Sequence, residues 1–128
     1  MPKLTQLTVS CEDRPGSLAR IAGLLGDANV NILALLATAA VDGGFIGVVV
    51  DKPKKAKKAL DAAHMHYTEQ PVLHVELPNT PGALASLAEK LAAKAINITA
   101  AYQTSVRDAK KASVVLAVSD FDKAARIR

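Results

Sequence analysis

The sequence predicts an α+β protein in which one small unit occurs twice. Three observations carry that expectation: an internal repeat, strand-type alternation that gives way to a helical stripe in each copy, and an aliphatic composition. At an offset of 66, Leu7, Val9, Pro15, Gly16, Leu18, Ala19, Ala22, Leu25, Asn31 and Ile32 recur as Leu73, Val75, Pro81, Gly82, Leu84, Ala85, Ala88, Leu91, Asn97 and Ile98. These are 10 identities over the 26 positions 7–32, without a gap. Chance gives roughly two in a composition of this kind. The pairs Asp13 with Asn79, Ile21 with Leu87 and Val30 with Ile96 are conservative. The match continues through Thr38 and Thr104, and through Val48-Val49 and Val114-Val115.

Each element follows from local pattern. Leu7, Val9 and Cys11 alternate with polar residues, as do Leu73, Val75 and Leu77, and this period of two marks the first strands. A polar turn ending in Pro-Gly follows. Leu18, Ile21, Ala22 and Leu25 then fall at i, i+3, i+4 and i+7, one apolar helical stripe, which Leu84, Leu87, Ala88 and Leu91 repeat. Asn31 and Asn97 open second strands over 32–38 and 98–104. Asp42-Gly43-Gly44 is a hairpin signal leading to a third strand over 45–50. In copy two the turn is longer, 107–111, and the strand is 112–118. A second helix follows, over 54–63 and then from Asp120 to the chain end. A short strand at 67–70 closes copy one, whereas copy two stops inside its last helix at Arg128. The order is β-α-β-β-α-β, the ferredoxin-like split. The expected architecture is two such units, 1–70 and 71–128, with antiparallel sheets and helices on one face. The second unit lacks its last strand, and a neighbour is expected to supply that pairing.

Composition narrows the function classes. Half of the 128 residues are hydrophobic and 22% are charged, which is a globular balance. Aromatics are only 3%, so the core must be aliphatic. Cys11 is the single cysteine, which excludes an internal disulfide, and its place opposite Leu77 reads as a core position. No apolar run approaches the roughly 20 residues that span a bilayer. Residues 1–10 alternate like a strand instead of forming a signal-peptide core. A cytoplasmic chain without membrane association is therefore expected.

The net charge of +4 is divided evenly, with 8 basic and 6 acidic residues in 1–66 and the same in 67–128. The cluster Lys52, Lys54, Lys55, Lys57 and Lys58 lies opposite Ala56, Ala59, Leu60 and Ala63, as on the wet face of an amphipathic helix. No stacking aromatics accompany it, so no nucleic acid is expected as a partner. His64, His66 and His74 lack a matching cysteine or carboxylate cluster, so no metal is expected. No Walker loop or G-x-S-x-G motif is present, so neither cofactor nor catalytic residues are assigned. His74 is the best general-base candidate, and no nucleophile lies near it in sequence. Units of about 60 residues bury little surface alone, so a shared core or a continuous sheet is expected. Leu33, Leu35 and residues 46–50 put apolar groups on both faces of their strands. A second chain is expected to cover the free face, giving a homodimer or higher homo-oligomer.

The informative segment is the strand-to-helix turn, Glu12-Asp13-Arg14-Pro15-Gly16-Ser17-Leu18, with its copy Pro78-Asn79-Thr80-Pro81-Gly82-Ala83-Leu84. It reads first as a helix start, with Pro near the first turn and Asp13 or Asn79 placed to cap it. The same physics suits a ligand. A helix start offers N–H groups and positive dipole to a carboxylate. A nearby Asp or Asn oxygen accepts from an ammonium group. Asn31 and Asn97, at the starts of the second strands, would face the turn of a neighbouring unit.

This pattern, alternating strand, [Asp/Asn]-x-Pro-Gly-x-Leu, helix, then [Val/Ile]-Asn-Ile, resembles the ACT domain, twice over nearly the whole chain. Residues 95–104, Ala-Ile-Asn-Ile-Thr-Ala-Ala-Tyr-Gln-Thr, are similar to the serine-sensing domain of phosphoglycerate dehydrogenase. The resemblance implies a non-enzymatic, allosteric, regulatory protein that binds a small metabolite, an amino acid first, at interfaces between paired domains. It implies ligand contacts from Asp13, Gly16, Ser17, Leu18, Asn31 and Ile32 in copy one. In copy two it implies Asn79, Thr80, Gly82, Ala83, Leu84, Asn97 and Ile98. Leu77 stands where the serine sensor carries a His, a departure that leaves serine specificity without support. Asp13 stands where the serine-sensing version has Asn, and its charge disfavours a carboxylate but suits an ammonium. The alternative is a structural or regulatory subunit that binds an amino-acid-metabolism enzyme without its own ligand, in partial likeness to the small subunit of acetolactate synthase.

Overall fold

The protein is described from a computed structural model covering residues 1–127, with Ala40 by its backbone alone. The chain runs β1 (Lys3–Cys11), α1 (Ser17–Asp27), β2 (Ile32–Ala40), β3 (Gly43–Val50), α2 (Pro53–Ala62), β4 (Tyr67–Pro78), α3 (Ala83–Ala93), β5 (Ile98–Thr104), β6 (Lys111–Val118) and α4 (Phe121–Ala125). It forms two compact units. One is Thr5–Gln70, and the other joins Met1–Leu4 to the residues from Pro71 onward. The division falls inside β4, a single strand of 12 residues. Sequence patterning separates a closing strand at 67–70 from a new strand at 73–77. They run together because nothing between Gln70 and Val72 turns the chain. Pro71 removes one donor and is compatible with extended backbone.

In the first unit the strand order is β2-β3-β1-β4, the last entering by its opening residues. β1 pairs antiparallel with β3 (Leu7 opposite Val48, Val9 opposite Ile46), so these four side chains share a face. They form a core with Ile21 and Leu25 of α1 and Ala56 and Leu60 of α2. Cys11 packs against this core, half-buried. β3 begins at Gly43, two residues before its expected start at 45, because both glycines pair with β2. Gly43 has φ +127, and a Cβ there would lie 2.9 Å from the Cys11 carbonyl oxygen. Only glycine fits that position.

The second unit repeats this plan with Leu73, Leu87, Leu91, Ile96, Val114 and Leu116. Its strands run β4-β6-β5, and the beginning of β1 lies on the far side of β4. The place that sequence patterning leaves for a neighbour's strand is thus taken by residues 1–4. The His74 N–H donates to the Pro2 carbonyl at 3.0 Å. The Met1 amino group donates to the carbonyls of Ala125 (3.2 Å) and Ile127 (3.1 Å), satisfying groups left open at the end of α4. α4 spans five residues and ends at Ala125, short of the expected run to the chain end, because the chain turns at Arg126; Arg128 itself lies outside the described residues. The repeat offset changes along the unit. Leu7 faces Val48, and its counterpart Leu73 faces Leu116, so the third strands correspond at 68. The pairing of Val48-Val49 with Val114-Val115 is therefore two residues out of register, because the second hairpin is longer.

Two packing findings depart from the periodic pattern. Ile21, Leu25, Leu87 and Leu91 are buried, whereas Leu18 and Leu84 are 43% and 44% exposed. Both stand in the first turn of their helix, beside the Pro-Gly turn. Conversely, Val49 (1% exposed) and Val115 (2%) are buried on the sheet faces turned away from the helices. In the first unit the Gln6 side chain covers that face. Its Nε2 donates to Thr8 Oγ1 at 2.9 Å and would lie 2.9 Å from a Cβ on Gly47.

Truncating the buried stripe should cost far more than truncating its exposed end. Leu25→Ala and Leu91→Ala should each lose about 2–5 kcal/mol in denaturant unfolding. Leu18→Ala and Leu84→Ala should lose under about 1 kcal/mol.

Candidate ligand-binding turns

Both strand-to-helix turns have one geometry. The residue before each helix is a left-handed glycine, Gly16 with φ 93 and Gly82 with φ 88. No side chain caps either helix, so Asp13 and Asn79 do not take the capping role that their spacing suggests. The reason is local. The turn closes on its own backbone, with the N–H of Ser17 donating to Arg14 O and that of Ala83 to Thr80 O, both at 3.3 Å. Pro15 and Pro81 lie ahead of the glycine, outside the helical turn. The Ser17 hydroxyl donates back to the Glu12 carbonyl at 2.6 Å.

A Cβ on Gly16 or Gly82 would meet nothing within 4 Å, so glycine is required by φ, and the space above it is open. The N–H groups of Leu18, Ala19, Leu84 and Ala85 lie in the first turns, where helix geometry provides no intrahelical acceptor. They carry the positive end of the dipole. Asn79 is partly engaged elsewhere. Its Nδ2 donates to Ala109 O and its N–H to Lys110 O, both at 2.9 Å, tying the turn to the β5–β6 loop. Its Oδ1 is an acceptor.

Asn31 and Asn97 are exposed, and their backbones close the β2–β3 and β5–β6 pairs. The Asn31 N–H donates to Asp51 Oδ1 (2.9 Å), and Asp51 N–H donates to Asn31 O (3.1 Å). The Asn97 N–H donates to Ser119 Oγ, and Ser119 N–H donates to Asn97 O, each at 2.9 Å. Ile32 and Ile98 pack against their cores. Neither Asn sits by the turn of its own copy. Cys11, Gly44 and Ala39 align at one sheet end, and Ile32 with Val50 at the other. The length of β2 separates them, about 20 Å at a strand's rise per residue. Each copy thus gathers its turn residues (Asp13, Gly16, Ser17 and Leu18, or Asn79, Thr80, Gly82, Ala83 and Leu84) and leaves Asn31 with Ile32, or Asn97 with Ile98, at the far end.

Cavities flank the turns. One of about 210 Å³ lies between Asp13, Ser17 and Leu18 and the sheet end at Thr38, Phe45 and Ile46. A second, of about 400 Å³, lies on the other side of the same turn, bordered by Arg14, Gly16, Arg20, His64 and His66. In the second unit a cavity of about 550 Å³ is bordered by Thr80, Gly82, Ala83, Ser86, Lys90 and Met1. Arg14, Arg20, Ser86 and Lys90 are wall residues that motif reading passes over. The signal that finds them is the difference between the copies, not their likeness. Tertiary pairing also gives His74 a hydroxyl that sequence distance hides, with Nε2 2.5 Å from Ser113 Oγ. Beside it, Tyr102 stands opposite Val115 on β6, and burial pushes its phenol up to about 12.

A model of the ACT domain matches residues 5–64 and again 72–127. The chain belongs to the ACT domain family. Among solved structures, a protein of Bacteroides thetaiotaomicron is 31% identical over 96% of this chain and 84% of its own, with a TM-score of 0.89. The regulatory subunit of aspartate kinase from Thermus thermophilus shares the fold at 16% identity, TM-score 0.68, over 91% of this chain and 87% of that one. Its counterpart from Thermus flavus does so at 18% identity and TM-score 0.64, over 94% and 86%. No curated protein matches the sequence. Membership of the ACT family makes the chain a regulatory, ligand-binding type of protein. Among the described residues no helix is long and apolar enough to cross a membrane.

Two measurements check this geometry. Gly16→Ala or Gly82→Ala should each cost about 1–2 kcal/mol in thermal unfolding, because a Cβ at positive φ is strained even in open space. In a Tyr67→Phe chain, ultraviolet titration should show the remaining phenolate forming near pH 12, where an ordinary tyrosine ionises near 10. Since the folded form holds that proton longer than the unfolded form, stability should fall as pH rises from 10 towards 12.

Proposed function

We propose that this ACT protein is a non-enzymatic sensor that binds an amino acid at its duplicated turns and works as a homo-oligomer. The observation that carries the reading is the repeated exposure of Leu18 and Leu84. Both belong to buried helical stripes, yet both stand open beside a left-handed glycine and first-turn N–H groups that have no intrahelical acceptor. The N–H groups suit a carboxylate, the Asp13 or Asn79 oxygen suits an ammonium, and the leucine suits an apolar side chain. Gly16, Ser17, Thr80, Gly82 and Ala83 line the approach. Asn31 and Asn97 are exposed at the far end from the turn of their own copy, which supports a role at the turn of another chain, while Ile32 and Ile98 hold each Asn in place by packing on their own cores. Binding then favours one assembly over another, which is how a ligand shifts a population.

The exposed Leu33 (51%) and Phe45 (44%) favour a second reading, in which the chain is a subunit that docks on an amino-acid-metabolism enzyme without its own ligand. A thermal-shift screen against the twenty amino acids, with calorimetry on any hit, separates the two. At about 100 times the dissociation constant a true ligand stabilises by about 2.7 kcal/mol, several degrees for a chain of this size. Asn79→Ala combined with Asn97→Ala, shown to be folded by circular dichroism, should abolish the shift. Unchanged affinity would sink the site, and a flat response across all twenty would leave the docking subunit as the reading.

A further inference from the structure

The cavity of about 400 Å³ beside α1 gathers basic groups that the fold does not need. Arg14 comes from the turn, Arg20 from α1, and His64 and His66 from the segment between α2 and β4. Arg14 pairs with Glu12 at 3.1 Å on the surface. The side chains of Arg20, His64 and His66 make no hydrogen bond or ion pair with another described residue. His64 also holds a left-handed backbone, φ 56, at a position after a helix where glycine or asparagine is the easier choice.

The second copy shows that these charges are not structural. At the repeat offset Glu12, Arg14 and Arg20 become Pro78, Thr80 and Ser86, while Pro15, Gly16 and Leu18 are kept. The turn nevertheless forms with the same left-handed glycine, φ 93 in one copy and 88 in the other. Pro-Gly therefore suffices to build the turn, and the two guanidinium groups are additions to copy one only; Arg20 borders this cavity alone of the two beside the turn, and Arg14 borders both.

We propose that this cavity binds a small dianion, a phosphate ester or a dicarboxylate, held by Arg14 and Arg20 with His64 and His66 as further donors. A guanidinium presents a planar fork of donors that matches a carboxylate or phosphate edge, and two of them suit a double negative charge. Gly16 and Ser17, at the positive end of α1, border the same space. Glu12 opposes the anion only weakly, because its side chain is 74% exposed and an exposed ion pair is exchanged for water at small cost. The site shares Glu12, Arg14 and Ser17 with the cavity of Asp13 and Leu18, but Arg20, His64 and His66 border it alone, so it goes beyond the amino-acid reading and does not depend on it.

The test is calorimetric titration of the full chain at low salt with inorganic phosphate and, separately, with glutamate. At least one probe should bind. Arg14→Gln and Arg20→Gln should each weaken that binding roughly tenfold or more, as loss of a charged hydrogen bond does. The Asn79→Ala, Asn97→Ala chain should bind it as before. Binding of phosphate alone identifies a phosphate ester, and binding of glutamate alone identifies a dicarboxylate. If neither probe binds saturably, or if both Gln variants bind as well as the parent, the proposal is overturned. Glutamate binding that the Arg variants spare but the Asn variants lose would sink this site and leave the amino-acid reading intact.

Discussion

The constraint on which each unit depends is a glycine in left-handed backbone between its first strand and first helix. It lets the chain leave the sheet and start a helix within a few residues, a course that a side chain at φ near 90 resists. Once that angle is set, Ile21 and Leu25, or Leu87 and Leu91, fall onto the strand face and close the core. The helical period continues back to Leu18 and Leu84, but the turn holds these beyond the packed part of the sheet. Core and opening are two results of one turn. The residue type that makes the fold possible also leaves helix N–H groups in the open.

Small size shapes the rest. A unit of about 60 residues buries a modest fraction of its surface, so each strand matters. The second unit obtains its fourth strand from residues 1–4, and the Met1 amino group answers carbonyls at the end of α4. Aliphatic side chains do nearly all the packing, because aromatics are scarce. On the sheet face away from the helices, the long Gln6 side chain lies over Gly47 in place of apolar cover.

The copies share a scaffold and differ in chemistry. Copy one surrounds its turn with Arg14, Arg20, His64 and His66. Copy two has Thr80 and Ser86 at the arginine positions and uses Asn79 to bind its own β5–β6 loop. Two turns built on the same left-handed glycine thus present different electrostatic environments. The copies keep the geometry and diverge at a few exposed positions.

Much of this was legible in sequence because it rests on local rules. Alternation fixed the strands, the 3.6-residue period fixed α1 and α3, and Pro-Gly fixed the turns. The repeat then fixed that the unit occurs twice. Local rules fail where distant segments meet. Nothing local says that residues 1–4 pair beside His74, that 67–78 is one strand, or that Ser113 lies against His74. Periodicity cannot tell that Leu18 is open while Leu25 is closed, because both satisfy it. Nor can spacing say that Asn79 binds Ala109, or that Asn31 lies a sheet's length from Asp13. Sequence alone determined the repeat, the order of strands and helices and the Pro-Gly turns between them, since backbone preference and side-chain period act within a few residues. Tertiary structure decided strand neighbours, exposure and the make-up of each cavity, since those depend on which surfaces the folded chain brings together.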